Sequence, residues 1–159
     1  MKSGLQGSLP STILELYTIT RVTTLVANGW QPQTNRMKTR ILVVEDEFLI
    51  RLSVTEALVE AGFCVTDAET ADLALPVVQS GTVDLLITDI QLPGKMDGMA
   101  LVRAARAAQP ALPVIYITGY PIDRSSNSAR EIYIAKPYAP EDLCVAARQL
   151  LSATPGFAG

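Results

Sequence analysis

Five short apolar runs, separated by stretches with helical spacing, limit what this chain can become. The runs are RILVVE at residues 40–45, FCVTD at 63–67, DLLITD at 84–89, PVIYIT at 113–118 and EIYIA at 131–135. They are nearly continuously apolar rather than alternating, the pattern of strands covered on both faces. Between them, Ile50, Val54, Ala57, Leu58 and Ala61 mark one helix face, closed by Gly62. Leu101, Ala104, Ala105 and Ala108 mark a second, and Leu143, Ala146, Ala147, Leu150 and Leu151 the last. A further helix is expected between residues 70 and 80, where Pro76 should kink it or shift its start. This alternation predicts an α/β fold: a parallel sheet with helices on both faces.

A length of 159 residues with 48% apolar content suits one domain with a core of ordinary size. The formal net charge is −3. Residues 1–36 carry three basic and one acidic residue, which leaves ten basic against fifteen acidic beyond them. That balance argues against a nucleic-acid surface. The absence of histidine removes Ser-His-Asp triads, Cys-His pairs and His-ligated metals together. Cys64 and Cys144 fit no CxxC or zinc spacing and read as reduced thiols of a cytosolic, cytoplasmic protein. With no run of 18 apolar residues, no membrane span is expected.

Residues 1–36 lack a helical period. YTITRVT at 17–23 alternates, and Glu15 and Arg21 interrupt the apolar stretch, unlike a signal-peptide core. A different register starts at Met37, where MKTRILVVEDE runs from a short basic lead into the first strand. Two readings stand for residues 1–36: an upstream extension or tail with little fixed structure, or an added edge strand at 17–23. The folded domain is expected over 37–152, with a short tail at 153–159 and no effector domain after it, so that output passes through protein partners.

In open α/β sheets chemistry collects at the carboxyl ends of the strands. Those ends carry Glu45 and Asp46, then Asp89, Thr118 and Lys136. Adjacent carboxylates raise each other's pKa unless a cation or hydrogen bonds offset them. Glu45, Asp46 and Asp89 together would make an oxygen-rich cluster suited to a hard cation such as Mg²⁺. Glu47 reads instead as an acid of the first helical turn, favoured by the dipole. Such a cluster suits phosphoryl transfer, which needs a nucleophile, neutralised charge and positioned donors. Asp89 would be the nucleophile, Mg²⁺ and Lys136 the positive charges, and Thr118 a hydroxyl donor.

VVEDE, ITDIQLPG with Asp97-Gly98 after it, YITGY and KPY at Lys136 to Tyr138 together resemble the receiver domain of bacterial two-component response regulators. The resemblance covers about residues 39–151. It implies a flavodoxin-like, doubly wound (βα)5 fold with a five-stranded parallel sheet in the order 2-1-3-4-5. It implies metal ligation by Asp46, Asp89 and the main-chain carbonyl of Gln91, with Glu45 acting through water. A histidine kinase or histidine phosphotransfer protein would donate the phosphoryl group to Asp89, making an aspartyl phosphate. Tyr133 falls where the family places an aromatic whose rotamer follows phosphorylation, and the Lys136–Pro137 bond resembles the family's cis bond. The reading is a single-domain response regulator that signals by protein contact. It has no enzymatic activity beyond its own phosphorylation and dephosphorylation, and it allows a phosphorylation-dependent dimer.

Three features depart from the commonest family pattern. Glu45 stands where Asp is commoner. The loop LPGKMDG is one residue longer. Thr118 and Lys136 are 18 positions apart, closer than usual, and PIDRSSNSAR between them is a poor helix. A haloacid-dehalogenase-type phosphatase would need a general acid two residues after Asp89, where Gln91 stands. A flavodoxin or dinucleotide module would need a glycine- or hydroxyl-rich phosphate loop where this chain is acidic. The remaining alternatives are a receiver-like docking module that takes no phosphate, and a phosphate sink.

Overall fold

The structure, a computed structural model, describes residues 38–120 and 130–153. The expectations for residues 1–36, for a short or irregular helix at PIDRSSNSAR, of which Arg130 alone is described, and for the tail beyond Ala153 lie outside these. The elements are β1 (Arg40–Val44), α1 (Phe48–Glu60), β2 (Cys64–Ala68), α2 (Ala71–Gln79), β3 (Leu85–Asp89), α3 (Gly98–Ala108), β4 (Val114–Thr118), β5 (Glu131–Ala135) and α4 (Pro140–Ser152). All strand pairings are parallel, and the sheet order is β2-β1-β3-β4-β5. This is the flavodoxin-like order expected.

Strand side chains alternate between the two faces, and that parity divides the core. Leu42, Val44, Leu86, Val114 and Tyr116 face Ala71, Ala74 and Val78 of α2 and Leu101, Val102 and Ala105 of α3. Ile41, Val43, Leu85, Ile87, Ile115 and Ile117 face Val54 and Leu58 of α1 and Leu143, Ala146, Ala147 and Leu150 of α4. Each fully buried Leu or Ile of these layers contributes about 2 kcal/mol through the apolar area removed from water.

Full coverage on both faces holds for β3 and β4 and for all but the first residue of β1. It fails for β2 and β5, whose residues are intermediate or exposed. These are the two edges of the sheet. The helix over 70–80 is not shifted by Pro76. It starts at Ala71 behind Thr70, whose hydroxyl accepts from the Leu73 N–H at 3.2 Å, and it passes through the proline to Gln79. Glu47 is the residue before α1, at its N-cap without a capping side-chain bond, rather than within the first turn. Gly62 closes α1 at φ 98°, a left-handed backbone that suits glycine. Lys136–Pro137 is cis.

The Asp97-Gly98 pair has a plain physical role. Asp97 caps α3, its Oδ1 accepting from the Ala100 N–H at 2.7 Å. Gly98 donates its N–H to the Ile90 carbonyl at 3.0 Å. A Cβ on Gly98 would overlap the Asp89 carbonyl oxygen and stand 2.9 Å from both the Asp89 carbonyl carbon and the Thr88 Oγ1. Gly98→Ala should therefore lower stability by about 3 kcal/mol, read as a fall in the urea midpoint, because rigid main chain lies in the way. A loss within about 0.5 kcal/mol would contradict this close approach.

Tyr116 is 2% exposed and stacks on Tyr133, with ring centroids 4.6 Å apart and planes at 16°. Burial pushes the Tyr116 phenol up from 10.0 to about 12. The unfolded chain releases that proton first, so folding stability falls as pH rises from 10 towards 12. Tyr116→Phe should remove this component. Relative to wild type, its stability in denaturant titrations should gain up to about 1.4 kcal/mol per pH unit across that window.

Candidate functional site

The register explains why distant residues meet. Val44 pairs with Thr88, so Glu45 and Asp89 stand side by side at the ends of β1 and β3. Thr118 pairs with Ala135, and the Lys136 N–H donates to the Thr118 carbonyl at 2.8 Å. Lys136 thus leaves β5 on the same rim.

Its ammonium reaches back between the two acids. Lys136 Nζ donates to Asp89 Oδ2 at 2.6 Å and lies 3.0 Å from Glu45 Oε2. Glu45 is fully buried and Asp89 is 5% exposed. Glu45 Oε1 accepts from the Glu47 N–H at 3.3 Å, whereas Oε2 has the ion pair but no well-directed hydrogen bond. Burial pushes the Glu45 carboxyl up, against the pull of Lys136. For Lys136 burial acts downward, but the contacts with Asp89 and Glu45 outweigh it and the pKa is raised. These directions agree physically: two acids share one ammonium, so the ammonium gains more than Glu45 does.

Asp89 Oδ1 accepts from the Gln91 N–H at 2.7 Å. Asp46 sits at the exposed mouth, and one carboxylate oxygen each from Glu45, Asp46 and Asp89 fall within 4.8 Å of one another. Three hard oxygen donors at that separation fit a hydrated divalent cation. Thr118 is 2% exposed and lies next to the Asp89–Ile117 register pair. Its Oγ1 accepts from the Tyr120 N–H at 3.0 Å, which leaves the hydroxyl proton available to donate.

Of the residues singled out in the sequence, Glu45, Asp46, Asp89 and Lys136 therefore converge, and Thr118 stands on the adjoining strand end. Gln91 meets Asp89 through its N–H. Tyr133 packs with the α2/α3 side of the core and stacks on Tyr116, away from the acids. Arg51 escaped the sequence reading. It is the fourth residue of α1, where the helix dipole disfavours a cation. Its Nη1 donates to the main-chain carbonyls of Glu45 at 2.6 Å and Asp46 at 3.2 Å, and its Nε donates to Asp67 Oδ2 at 3.1 Å. A cation set against the dipole a few residues after an acidic run was the available signal.

Residues 41–148 match the response regulator receiver domain. The response regulator protein FleR of Pseudomonas aeruginosa is 33% identical over 125 residues, 76% of this chain and 26% of FleR. The sensor kinase CckA of Brucella abortus is 29% identical over 117 residues, 70% of this chain and 12% of that kinase. The chain thus spans about a quarter or less of the length of these two relatives. Among solved structures, a response regulator receiver protein from Sinorhizobium medicae WSM419 is similar at 31% identity and a TM-score of 0.68, covering 74% of this chain and 98% of that one. The acid-lined rim, the parallel sheet in the order 2-1-3-4-5 and these matches agree, and the chain belongs to the response regulator receiver domain family.

Proposed function

We propose that Asp89 accepts a phosphoryl group from a histidine kinase or histidine phosphotransfer protein, and that the domain signals through a protein partner in the cytoplasm. The observation that carries this reading is Lys136 Nζ held on Asp89 Oδ2 at 2.6 Å beside two further carboxylates. The similarity to both a response regulator and a sensor kinase supports a place in a two-component phosphorelay. Free Cys64 and Cys144 suit a reducing compartment. Among the described residues no helix is long and apolar enough to cross a membrane.

In this reading a carboxylate oxygen of Asp89 attacks phosphorus, a P–O bond forms, and the bond from phosphorus to the donor nitrogen breaks with its electron pair leaving on the histidine. Asp46, Asp89 and the Gln91 carbonyl, with Glu45 through water, would hold Mg²⁺, which would supply charge to offset that of the phosphoryl oxygens. Lys136 supplies a second positive charge as it passes from the carboxylate to the phosphoryl group. The Thr118 hydroxyl, whose proton is not engaged by the Tyr120 contact, donates a hydrogen bond to the same group. Tyr133 then changes rotamer, which alters the partner surface. Turnover is confined to formation and hydrolysis of this aspartyl phosphate.

Incubation with Mg²⁺ and acetyl phosphate should add one phosphoryl group by intact mass, and Asp89→Asn should abolish the gain. An unmodified wild-type mass, with Mg²⁺ bound, would favour a docking module instead. Lys136→Met should lower the stability of the metal-free protein by about 3 kcal/mol in urea unfolding, because it leaves buried carboxylates unpaired. Adding Glu45→Gln should recover part of that loss, since the unpaired charge leaves with it. Strictly additive losses would mean that Lys136 does not serve Glu45.

A further inference from the structure

We infer that Arg51 is a positioning residue for the divalent-cation site: it fixes the main chain of Glu45 and Asp46 and anchors it to the end of β2. This inference rests on the receiver reading of the acid cluster. Arg51 is nearly enclosed, its side chain 11% exposed. One guanidinium nitrogen donates to two successive carbonyls, Glu45 at 2.6 Å and Asp46 at 3.2 Å. The other side is held by the Asp67 carboxylate at 3.1 Å, with Glu69 at 4.0 Å and the Phe48 ring 5.8 Å from the guanidinium carbon.

The consequence is geometric. A carbonyl fixed in direction fixes the peptide plane, and two successive planes fix the intervening Cα. Asp46 is that intervening residue, so the direction of its Cα–Cβ bond, from which its exposed carboxylate swings, is set from behind by Arg51. Glu45 is held as well, at its carbonyl by Arg51 and at its carboxylate by Lys136 and the Glu47 N–H. Two cations thus divide the work: Lys136 neutralises side chains inside the site, and Arg51 orients main chain outside it. Only a planar fork with several donors serves two carbonyls and a carboxylate at once, which a lysine ammonium cannot do in one geometry. Outer-shell contacts of this kind govern how tightly a site holds its metal.

The test is titration calorimetry of the full chain with MgCl₂ alone, together with amide hydrogen exchange of the metal-free protein. Arg51→Ala and Arg51→Lys should each bind Mg²⁺ about tenfold more weakly than wild type, below the melting temperature of each variant. Exchange at Asp46 and Glu47 should quicken in both, while central β3 amides stay slow. Asp67→Asn, which touches a half-exposed side chain and keeps Arg51, should weaken Mg²⁺ in the same direction by less. Wild type that binds no Mg²⁺ sinks the receiver reading and this inference together. Wild type that binds Mg²⁺, with both Arg51 variants within about twofold of it, sinks the role of Arg51 alone, even if their melting temperatures fall. Should Arg51→Ala fail to fold, Arg51→Lys and Asp67→Asn decide the matter by the same readouts.

Discussion

One ammonium between two buried carboxylates is the contact on which this rim depends. Glu45 and Asp89 are brought together by strand register, not by attraction, and both stand where water is scarce. Without Lys136 such a pairing would face the repulsion and desolvation that normally drive carboxylates apart or force protonation. The lysine comes from the opposite part of the chain, and its own strand must be parallel and correctly registered on β4 before it can reach them. Charge balance at the site and sheet assembly are thus parts of one arrangement.

The sheet also separates two tasks by parity. Odd-numbered residues of β1 and β3 pack towards α1 and α4, and even-numbered ones towards α2 and α3. Glu45 continues the first series into the acid cluster, while Tyr116 and Tyr133 stack within the second. The rim lies close to that stack: Thr118 follows Tyr116 by two residues on the same face of β4, and Lys136 follows Tyr133 by three. A change at the acids therefore has only a few bonds to travel before it meets aromatic packing on the other side.

Most of this was legible because strand ends in a parallel sheet are readable positions. Apolar runs located the strands, and the polar letters directly after them were the acids, the hydroxyl and the lysine. What was not legible had other causes. The half-covered faces of β2 and β5 follow from their outer places in the sheet, which the apolar runs alone do not declare, although the strand order implied by the family resemblance does. Pro76 stands inside α2 without ending it, and the start of that helix is set by the Thr70 cap instead. Arg51 was missed because two of its partners are main-chain carbonyls, and a carbonyl has no letter of its own.

Gly98 gives β3 a mechanical partner. With no side chain as a spacer, the first turn of α3 rests directly against the Asp89 main chain and the Thr88 hydroxyl. The eleven residues of α3 extend from that point for about 16 Å at the helical rise. Pivoted at one end, such a rod would convert a small tilt near Asp89 into a larger displacement at Arg106 and Gln109. Those residues reach Glu131 at the start of β5 and the Val83 carbonyl two residues ahead of β3, so the far end of the rod is moored at the amino-terminal end of the sheet.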